Sequence, residues 1–515
     1  MKHDYDLAIV GSGFAGALLA MIARRQGRSV VLLEKTSHPR FAIGESSTPL
    51  ANLLLEELAT RYDLPRLLPL CKWGEWQHAY PEIGCGLKRG FSFYHHRFGY
   101  PFGDDPDNRN QLLVAASPRD AIADTHWYRP DFDHFFVREA QLLGVEYLDE
   151  TSLAPPQWTE DGVTLVGKRR EQDVRIRARF LVDATGPRGF LHRALGLEEV
   201  VSPTLPAIQA LYTHFSDVAV FEGQLDFHGQ VPPYPVDDAA LHQVFEGGWI
   251  WVLRFNNGLT SAGVAANEEV ATRLRFQEGA PAWQRLLEQL PTVQRQFERA
   301  QPARPFVHAP RLAFRSQTIV GPRFALLPSA AGFVNPLLSM GFPLALLGVS
   351  RLARILGDDW NTERFEGALQ NYALHTRNEL VAAEELIAAL YANMGDFELF
   401  KSLTLLYFAA ASFSETVRRL DKPELAGGFL LNANPRFGPG SRDCFARARQ
   451  PLTAPKRQAL MNHIKETVEP FDVAGLTATG RNNWYPVLAD DLFAAQSKVG
   501  ATRAELELLL RRAGF

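Results

Sequence analysis

The chain has 515 residues, 46% of them hydrophobic and 22% charged, with a formal net charge of −4. This is ordinary globular composition, long enough to bury a large core in about two to four domain-sized units, and it lacks the basic footprint that a nucleic-acid partner demands. Three well-separated cysteines, Cys71, Cys85 and Cys444, with no C-x-x-C pair, argue against a disulfide framework or a thiolate metal site.

The N-terminal MKHDYD is charged and leads straight into an apolar run, so no signal peptide is expected and a cytoplasmic location follows. Residues 7–10 are apolar, then Gly11, Gly13 and Gly16 stand in G-x-G-x-x-G spacing, and a helical stretch to Gln26 leads to a second apolar run at 30–33. That order is strand, tight turn, helix, strand. Gly11 permits the turn, Gly13 lets backbone approach a pyrophosphate at the helix N-terminus, and Gly16 lets helix pack on strand. Glu34 closes the second strand, roughly 20 residues on, where an acidic side chain suits a ribose hydroxyl pair. The fingerprint alone leaves FAD and NAD open.

Arg40 and Gly44-Glu45-Ser46-Ser47-Thr48-Pro49 follow, before a helix over 50–62 that the small hydroxyl residues can cap. Around Lys88 the alternation in CGLKRGFSFYHH predicts a strand with Leu87, Arg89, Phe91 and Phe93 on one face and Lys88, Gly90, Ser92 and Tyr94 on the other. No His, Asp or Glu cluster has metal-ligand spacing, so no metal is expected. Residues 126–139 read as a loop and helix leading to a strand at 145–148. A short strand at 180–182 ends in Asp183-Ala184-Thr185-Gly186, a second glycine turn.

From about 202 to 310 the pattern is β-rich. Residues 248–255, the turn Asn256-Asn257-Gly258 and a small-residue strand predict a hairpin with Trp249, Trp251 and Leu253 on one face, either core or channel wall. Residues 324–350 carry no charged residue and are long enough to span a membrane, but Pro328, Pro336, Pro343, Gly332, Gly341 and Asn335 break the run, so a buried turn and helix are expected rather than a membrane span. Beyond 358 the chain turns helical, with apolar stripes Leu380, Ala383, Ile387, Leu390, Met394 and Leu399, Leu403, Leu406, Ala410, Phe413, Val417. Residues 421–443 read as loop, and Thr502-Arg503-Ala504-Glu505 opens a last helix with a capping box.

In this order the motifs resemble the flavin-dependent halogenases, particularly those acting on free phenolic and related aromatic substrates, with the hydroxybenzoate-hydroxylase type of FAD monooxygenase as wider relatives. The resemblance covers most of the chain and weakens in the C-terminal helices. It implies an α/β fold: an FAD-binding Rossmann-like domain over 1–200 and 311–357, including the Lys88 strand, a β-rich substrate region over 201–310, and a mostly helical region over 358–515. Gly11, Gly13, Gly16 and Glu34, with Phe14, Ala15 and Lys35 beside them, match the ADP-binding unit. Arg40 and Gly44-Glu45-Ser46 match the segment by the flavin, and Asp183 to Gly186 the second FAD turn. Phe333-Val334-Asn335-Pro336-Leu337-Leu338-Ser339-Met340-Gly341 fits F-x-x-P-x-x-S-x-G, in which Pro336 and Gly341 lie by the flavin and Ser339, Met340 and Gly341 hold the halide.

Lys88 matches the family's catalytic lysine, with Phe91, Phe93, Trp249 and Trp251 as candidate channel walls. The resemblance implies reduced FAD, O₂ and chloride or bromide as reactants, a partner flavin reductase, and halogenation of a small aromatic such as a phenol, pyrrole or indole through hypohalous acid. The family's W-x-W-x-I-P appears as Trp249-Ile250-Trp251-Val252-Leu253-Arg254, and Pro328-Ser329 stands where many flavoproteins of this fold have Gly-Asp. These departures keep an alternative open, an FAD-dependent monooxygenase or dehydrogenase without halogenating activity. No residue is assigned as acceptor of the ring proton.

Overall fold

The computed structural model describes residues 4–514; Met1, Lys2 and His3 of the charged N-terminal stretch, and Phe515, lie outside the described residues. Strand β1 (Tyr5–Val10) ends in four buried residues, helix α1 (Phe14–Arg25) buries its Ala, Leu and Met face, and β2 (Val30–Leu33) is buried throughout. Such unbroken apolar strands suit a parallel sheet covered on both faces. Helix α2 (Pro49–Arg61) starts at Thr48, whose Oγ1 accepts from Ala51 N at 3.1 Å, with Pro49 in the first turn where its missing N–H costs nothing.

Next come β3 (Cys85–Lys88), β4 (Gly90–His95), β5 (Gln111–Ala115), β6 (Asp124–Trp127), helix α3 (Arg129–Leu142), β7 (Glu146–Leu148) and β8 (Gln172–Asp183). Strands β2, β1 and β8 lie side by side and parallel, with β7 outside β2. β8 is much longer than the three apolar residues suggested, because its polar first half pairs antiparallel with Val163–Arg169 and needs no continuous apolar run.

The β-rich middle supplies β9 (Ile208–Ser216), β10 (Ala240–Phe245), β11 (Gly248–Arg254) and β12 (Thr260–Asn267), and the expected hairpin joins β11 to β12. The second sheet runs β9, β12, β11, β10, β4, β5 and ends on Trp484–Tyr485. It therefore crosses the boundaries expected from sequence. β4 and β5 belong to it through the parallel pairing of β4 with β10, whereas β3 pairs with β6 in a separate ribbon. A pairing between strands some 150 residues apart leaves no local mark on the sequence. Trp249, Trp251 and Leu253 face the main core, while Ile250 and Val252 face a second core.

Strand β13 (Phe324–Leu326) adds to the first sheet parallel to β8. Helix α4 (Gly341–Arg354) follows, then α5 (Phe365–Ala392) and α6 (Phe397–Arg419), which carry both expected apolar stripes buried, save that Met394 is buried just past the end of α5. Leu337–Asp359 is apolar and long enough to cross a membrane, but 72% of its apolar window is buried inside the fold. The expected loop at 421–443 is partly helical: Phe437–Ala448 is a helix that takes Pro439 in its first turn, where proline is tolerated. The last helix has the full Thr502–Glu505 capping box.

Candidate active site

The two glycine turns meet. A Cβ on Gly11, whose φ is +102°, would stand 2.6 Å from the Ala184 carbonyl carbon, and one on Gly16 would stand 2.1 Å from Gly11 O. At these positions the protein itself forbids a side chain. At Gly13 a Cβ would meet only side-chain tips at 3.5 Å or more, and at Gly186 and Gly341 nothing within 4 Å. There the missing side chains leave bare backbone beside a helix N-terminus or turn, the surface a dinucleotide needs, so the residues present fit FAD.

Glu34 accepts from Ser12 N and Oγ at 3.2 and 3.0 Å and from Thr36 N and Oγ1 at 3.2 and 3.1 Å, and pairs with Arg40 at 3.2 Å. Burial opposes its ionisation, but the Arg40 charge and these bonds outweigh burial and hold the carboxyl below its usual range. Lys35 is exposed beside it. Asp183 spends its carboxylate on the turn, accepting from Thr185 N at 2.9 Å and Leu191 N at 2.6 Å. Glu45 faces inward, with its carboxylate 3.0 Å from His214 Nε2 on β9.

The N-termini of α1 and α4 converge. Phe14 and Phe342 have ring centroids 5.2 Å apart, and the Arg129 guanidinium lies 5.1 Å from the first ring and 5.9 Å from the second. Arg129 is held by Asp133 through two 2.8 Å bonds and donates to Gly44 O at 3.0 Å, while Asp133 also accepts from Phe14 N at 3.2 Å. One ion pair thus fastens the glycine turn, the 44–46 segment and the start of α4. Before α4, Leu338 and Ser339 both adopt positive φ, +67° and +55°, an unfavourable conformation for side-chain-bearing residues that clusters at functional turns. Asn335 locks this turn by accepting from Leu337 N at 3.0 Å and donating to Tyr391 OH at 3.1 Å. Met340 is buried and Gly341 exposed. Pro328 packs against Gly348, where a Cβ would stand 2.2 Å from its ring.

Lys88 is fully buried, at 0% exposure. Its Nζ donates to Ser46 Oγ at 2.9 Å and Ser47 O at 2.5 Å and lies 3.8 Å from the centre of the Phe91 ring. The expected strict alternation is therefore wrong here. Arg89 belongs to neither strand and donates its N–H to Asp238 O, which resets the pleat and puts Lys88 beside Phe91 instead of Gly90 and Ser92. Directly across the β3–β6 ribbon stands Asp124, 6% exposed. Its Oδ1 accepts from Asn52 Nδ2 at 2.9 Å, and its Oδ2 has no hydrogen-bond partner. Burial pushes Lys88 down to about 7 and Asp124 up to about 7, each partly offset by the other's charge.

Beside this pair opens a cavity of about 180 Å³ lined by Thr48, Phe91, Val114, Tyr407, Phe408, Ser412 and Glu415, with residues of the C-terminal segment at its far wall. Of the four candidate channel residues only Phe91 lines it. Phe93, Trp249 and Trp251 form a buried stack behind, through His242: successive centroids from Phe93 are 4.4, 5.1 and 5.7 Å apart. Sequence reasoning missed Asp124, Asn52, Tyr407, Arg129 and Asp133. Only the last two carried a local signal, the i, i+4 Arg–Asp spacing at the start of α3.

These features define a flavoprotein-type oxidoreductase with a dinucleotide cradle and, beside it, a partly open aromatic pocket, with the buried Lys88 touching Ser46 on one side and the pocket-lining Phe91 on the other. The tryptophan halogenase family model matches residues 125–396, and a model of the NAD(P)-binding Rossmann-like domain matches 9–52. Monodechloroaminopyrrolnitrin halogenase PrnC of Pseudomonas fluorescens is 30% identical over 421 residues, 79% of this chain and 71% of that protein. Tetracycline 7-halogenase of Kitasatospora aureofaciens is 31% identical over 376 residues, 70% of this chain and 66% of that protein. The crystal structure of halogenase PltM in complex with phloroglucinol and FAD is 25% identical, with a TM-score of 0.80 over 93% of this chain and 99% of that one. The chain belongs to the tryptophan halogenase family and is a flavin-dependent halogenase that uses FAD and a halide. This sets aside the non-halogenating alternative.

Proposed function

We propose that the enzyme halogenates a small electron-rich aromatic, of phenol, pyrrole or indole type, in the cavity beside Phe91, with Lys88 directing the halogen. The observation that carries this is the double reach of Lys88: Nζ holds Ser46 and Ser47 and stands 3.8 Å from the Phe91 ring that lines the cavity. A cavity of about 150 Å³ accommodates benzene, so about 180 Å³ suits a substituted single ring or a compact fused one. PltM is known with phloroglucinol bound, and a relative 24% identical is a 1H-pyrrole-2-carbonyl-[peptidyl-carrier protein] chlorinase, which supports the same range.

FAD would be held by Gly11, Gly13, Phe14, Ala15, Gly16, Glu34, Arg40, Gly44, Ser46, Asp183, Gly186 and Pro336, and chloride or bromide by the amides of Met340 and Gly341 with Ser339. Reduced FAD, when bound, supplies the electrons that activate O₂, so that halide is oxidised to hypohalous acid, HOX. Lys88 then hydrogen-bonds HOX as an ammonium, or captures its halogen as an amine, so that Ar–H and HOX become Ar–X and water. A partly desolvated lysine serves both roles. A separate flavin reductase in the cytoplasm is the source of reduced FAD. The working division is an FAD-binding part (1–200 and 311–357, apart from β4 and β5), a substrate sheet (201–310 with β4 and β5) and a helical cover (358–515).

The test supplies a flavin reductase, NADH, chloride or bromide, and a panel of phenols, pyrroles and indoles, and follows halogen isotope patterns in the products. Lys88→Ala should bind FAD normally and lose halogenation. Equal halogenation by Lys88→Ala would sink the role given to the lysine.

A further inference from the structure

The family resemblance offers Lys88 but assigns no acidic residue to accept the ring proton. An acidic residue, Asp124, stands across the ribbon from Lys88. Lys88 and Asp124 are directly opposed residues of an antiparallel pair, so their side chains leave the same face with Cβ atoms about 5 Å apart. Asn52 fixes Asp124 Oδ1, while Oδ2 is buried with no partner. A buried carboxylate oxygen without a donor is costly, and a proton from the facing lysine removes that cost. The ammonium does not close a direct ion pair with Asp124 but is turned toward Ser46 and Ser47, and the two groups act on each other through their charges across the ribbon.

We propose that Asp124 is the positioning residue for the Lys88 proton, taking it so that the amine can capture the halogen and returning it as the halogen passes to the ring. This rests on the role proposed for Lys88 above. First the ammonium and the carboxylate become amine and carboxylic acid. The amine nitrogen then attacks the halogen of HOX; an N–X bond forms, the O–X bond breaks, and the departing hydroxide takes an N–H proton as water. The ring attacks X; a C–X bond forms, the N–X electron pair returns to nitrogen, and Asp124 reprotonates it. The amine finally takes the ring proton, which restores ammonium and carboxylate. The sum is Ar–H + HOX → Ar–X + H₂O.

The remaining groups around the pair suit a single mobile proton. His126, beside Asp124 on β6, and His242 on β10 are buried and driven far below the usual histidine range, chiefly by burial and then by Lys88, so neither competes for the proton near neutrality. On α6, Glu415 and Arg419 bond each other at 2.8 Å and act on Asp124 with opposite signs. Tyr407 is also on α6, and burial raises its hydroxyl well above the ordinary tyrosine range, so it stays protonated. Asn52 on α2 is neutral.

The test uses the full-length enzyme with FAD bound and compares Asp124→Asn, which keeps an acceptor for Asn52, with Asp124→Glu and Lys88→Ala. The Lys88 side chain, isotope-labelled and assigned by its loss in Lys88→Ala, is titrated by NMR. Its midpoint should move to lower pH by about a unit in Asp124→Asn, because the carboxylate that favours the ammonium is gone. Halogenation kcat should fall about 100-fold with KM little changed, and Asp124→Glu should recover at least about tenfold. If Lys88→Ala is inactive while Asp124→Asn keeps kcat within about twofold and leaves the Lys88 midpoint in place, the proton role is refuted and the lysine role stands. If Asp124→Asn and Asp124→Glu are equally impaired, the carboxylate acts only as packing and the proposal also fails. If Lys88→Ala remains active, the underlying lysine role is what fails.

Discussion

Replacing the buried pair with neutral side chains, Lys88→Met with Asp124→Asn, should stabilise the fold, and the gain should peak near neutral pH. The folded value for Lys88, about 7, lies below its unfolded value, so its penalty is full below pH 7 and fades as pH rises toward about 10.4. The folded value for Asp124, about 7, lies above its unfolded one, so its penalty is full above pH 7 and fades as pH falls toward about 3.9. Each burial penalty is partly offset by the other group's charge, and that coupling is shared, so the pair's cost is the few kcal/mol typical of a buried ion pair. Moving two units to either side of neutrality relieves roughly 2 kcal/mol. Against this stand the donors lost to Ser46 and Ser47, about 1 kcal/mol each. The net gain at pH 7 should then be about 1–4 kcal/mol, the range for replacing buried ion pairs. Reversible denaturant unfolding at pH 5, 7 and 9 measures it. A double variant less stable than wild type at pH 7, or a gain independent of pH, would refute the reasoning.

Gly16→Ala should abolish FAD binding and lower stability, because its Cβ would stand 2.1 Å from Gly11 O and 2.9 Å from Ala184 Cβ; fluorescence titration with FAD and thermal unfolding read both effects. His214→Leu should cost about 1–3 kcal/mol by removing the hydrogen-bond partner of the buried Glu45 side chain, and adding Glu45→Gln should restore part of that in denaturant unfolding.

The nucleotide half was legible because its signals are local. Gly11, Gly13, Gly16 and Glu34 sit within one strand–turn–helix–strand unit, and the roles of Gly11 and Gly16 in packing follow from backbone sterics alone. The contact of Gly11 with Ala184 was not legible, since no pattern records which of two turns, some 170 residues apart, touches the other. At Lys88 the residue was identified but its surroundings were not: a single irregular residue, Arg89, reverses the face on which every later side chain of β4 falls relative to the lysine. Asp124 had no signal at all. Its meaning lies in the register of β6 against β3, which only the folded chain specifies. Trp249 and Trp251 illustrate the opposite case, where a conspicuous aromatic pair proves to be a wall one layer behind the cavity.

The cavity borders Thr48 at the start of α2, Phe91 and Val114 on the second sheet, one face of α6, and the chain from Val473 to Ala513. The parts fastened by Arg129, by contrast, lie within residues 14–133 and the start of α4. Thr48, Phe91 and Val114 come from that same stretch, whereas α6 and residues 473–513 do not. On the roles proposed above, a different α6 face and C-terminal segment grafted onto this scaffold should change which ring the cavity accepts without altering the parts that Arg129 fastens.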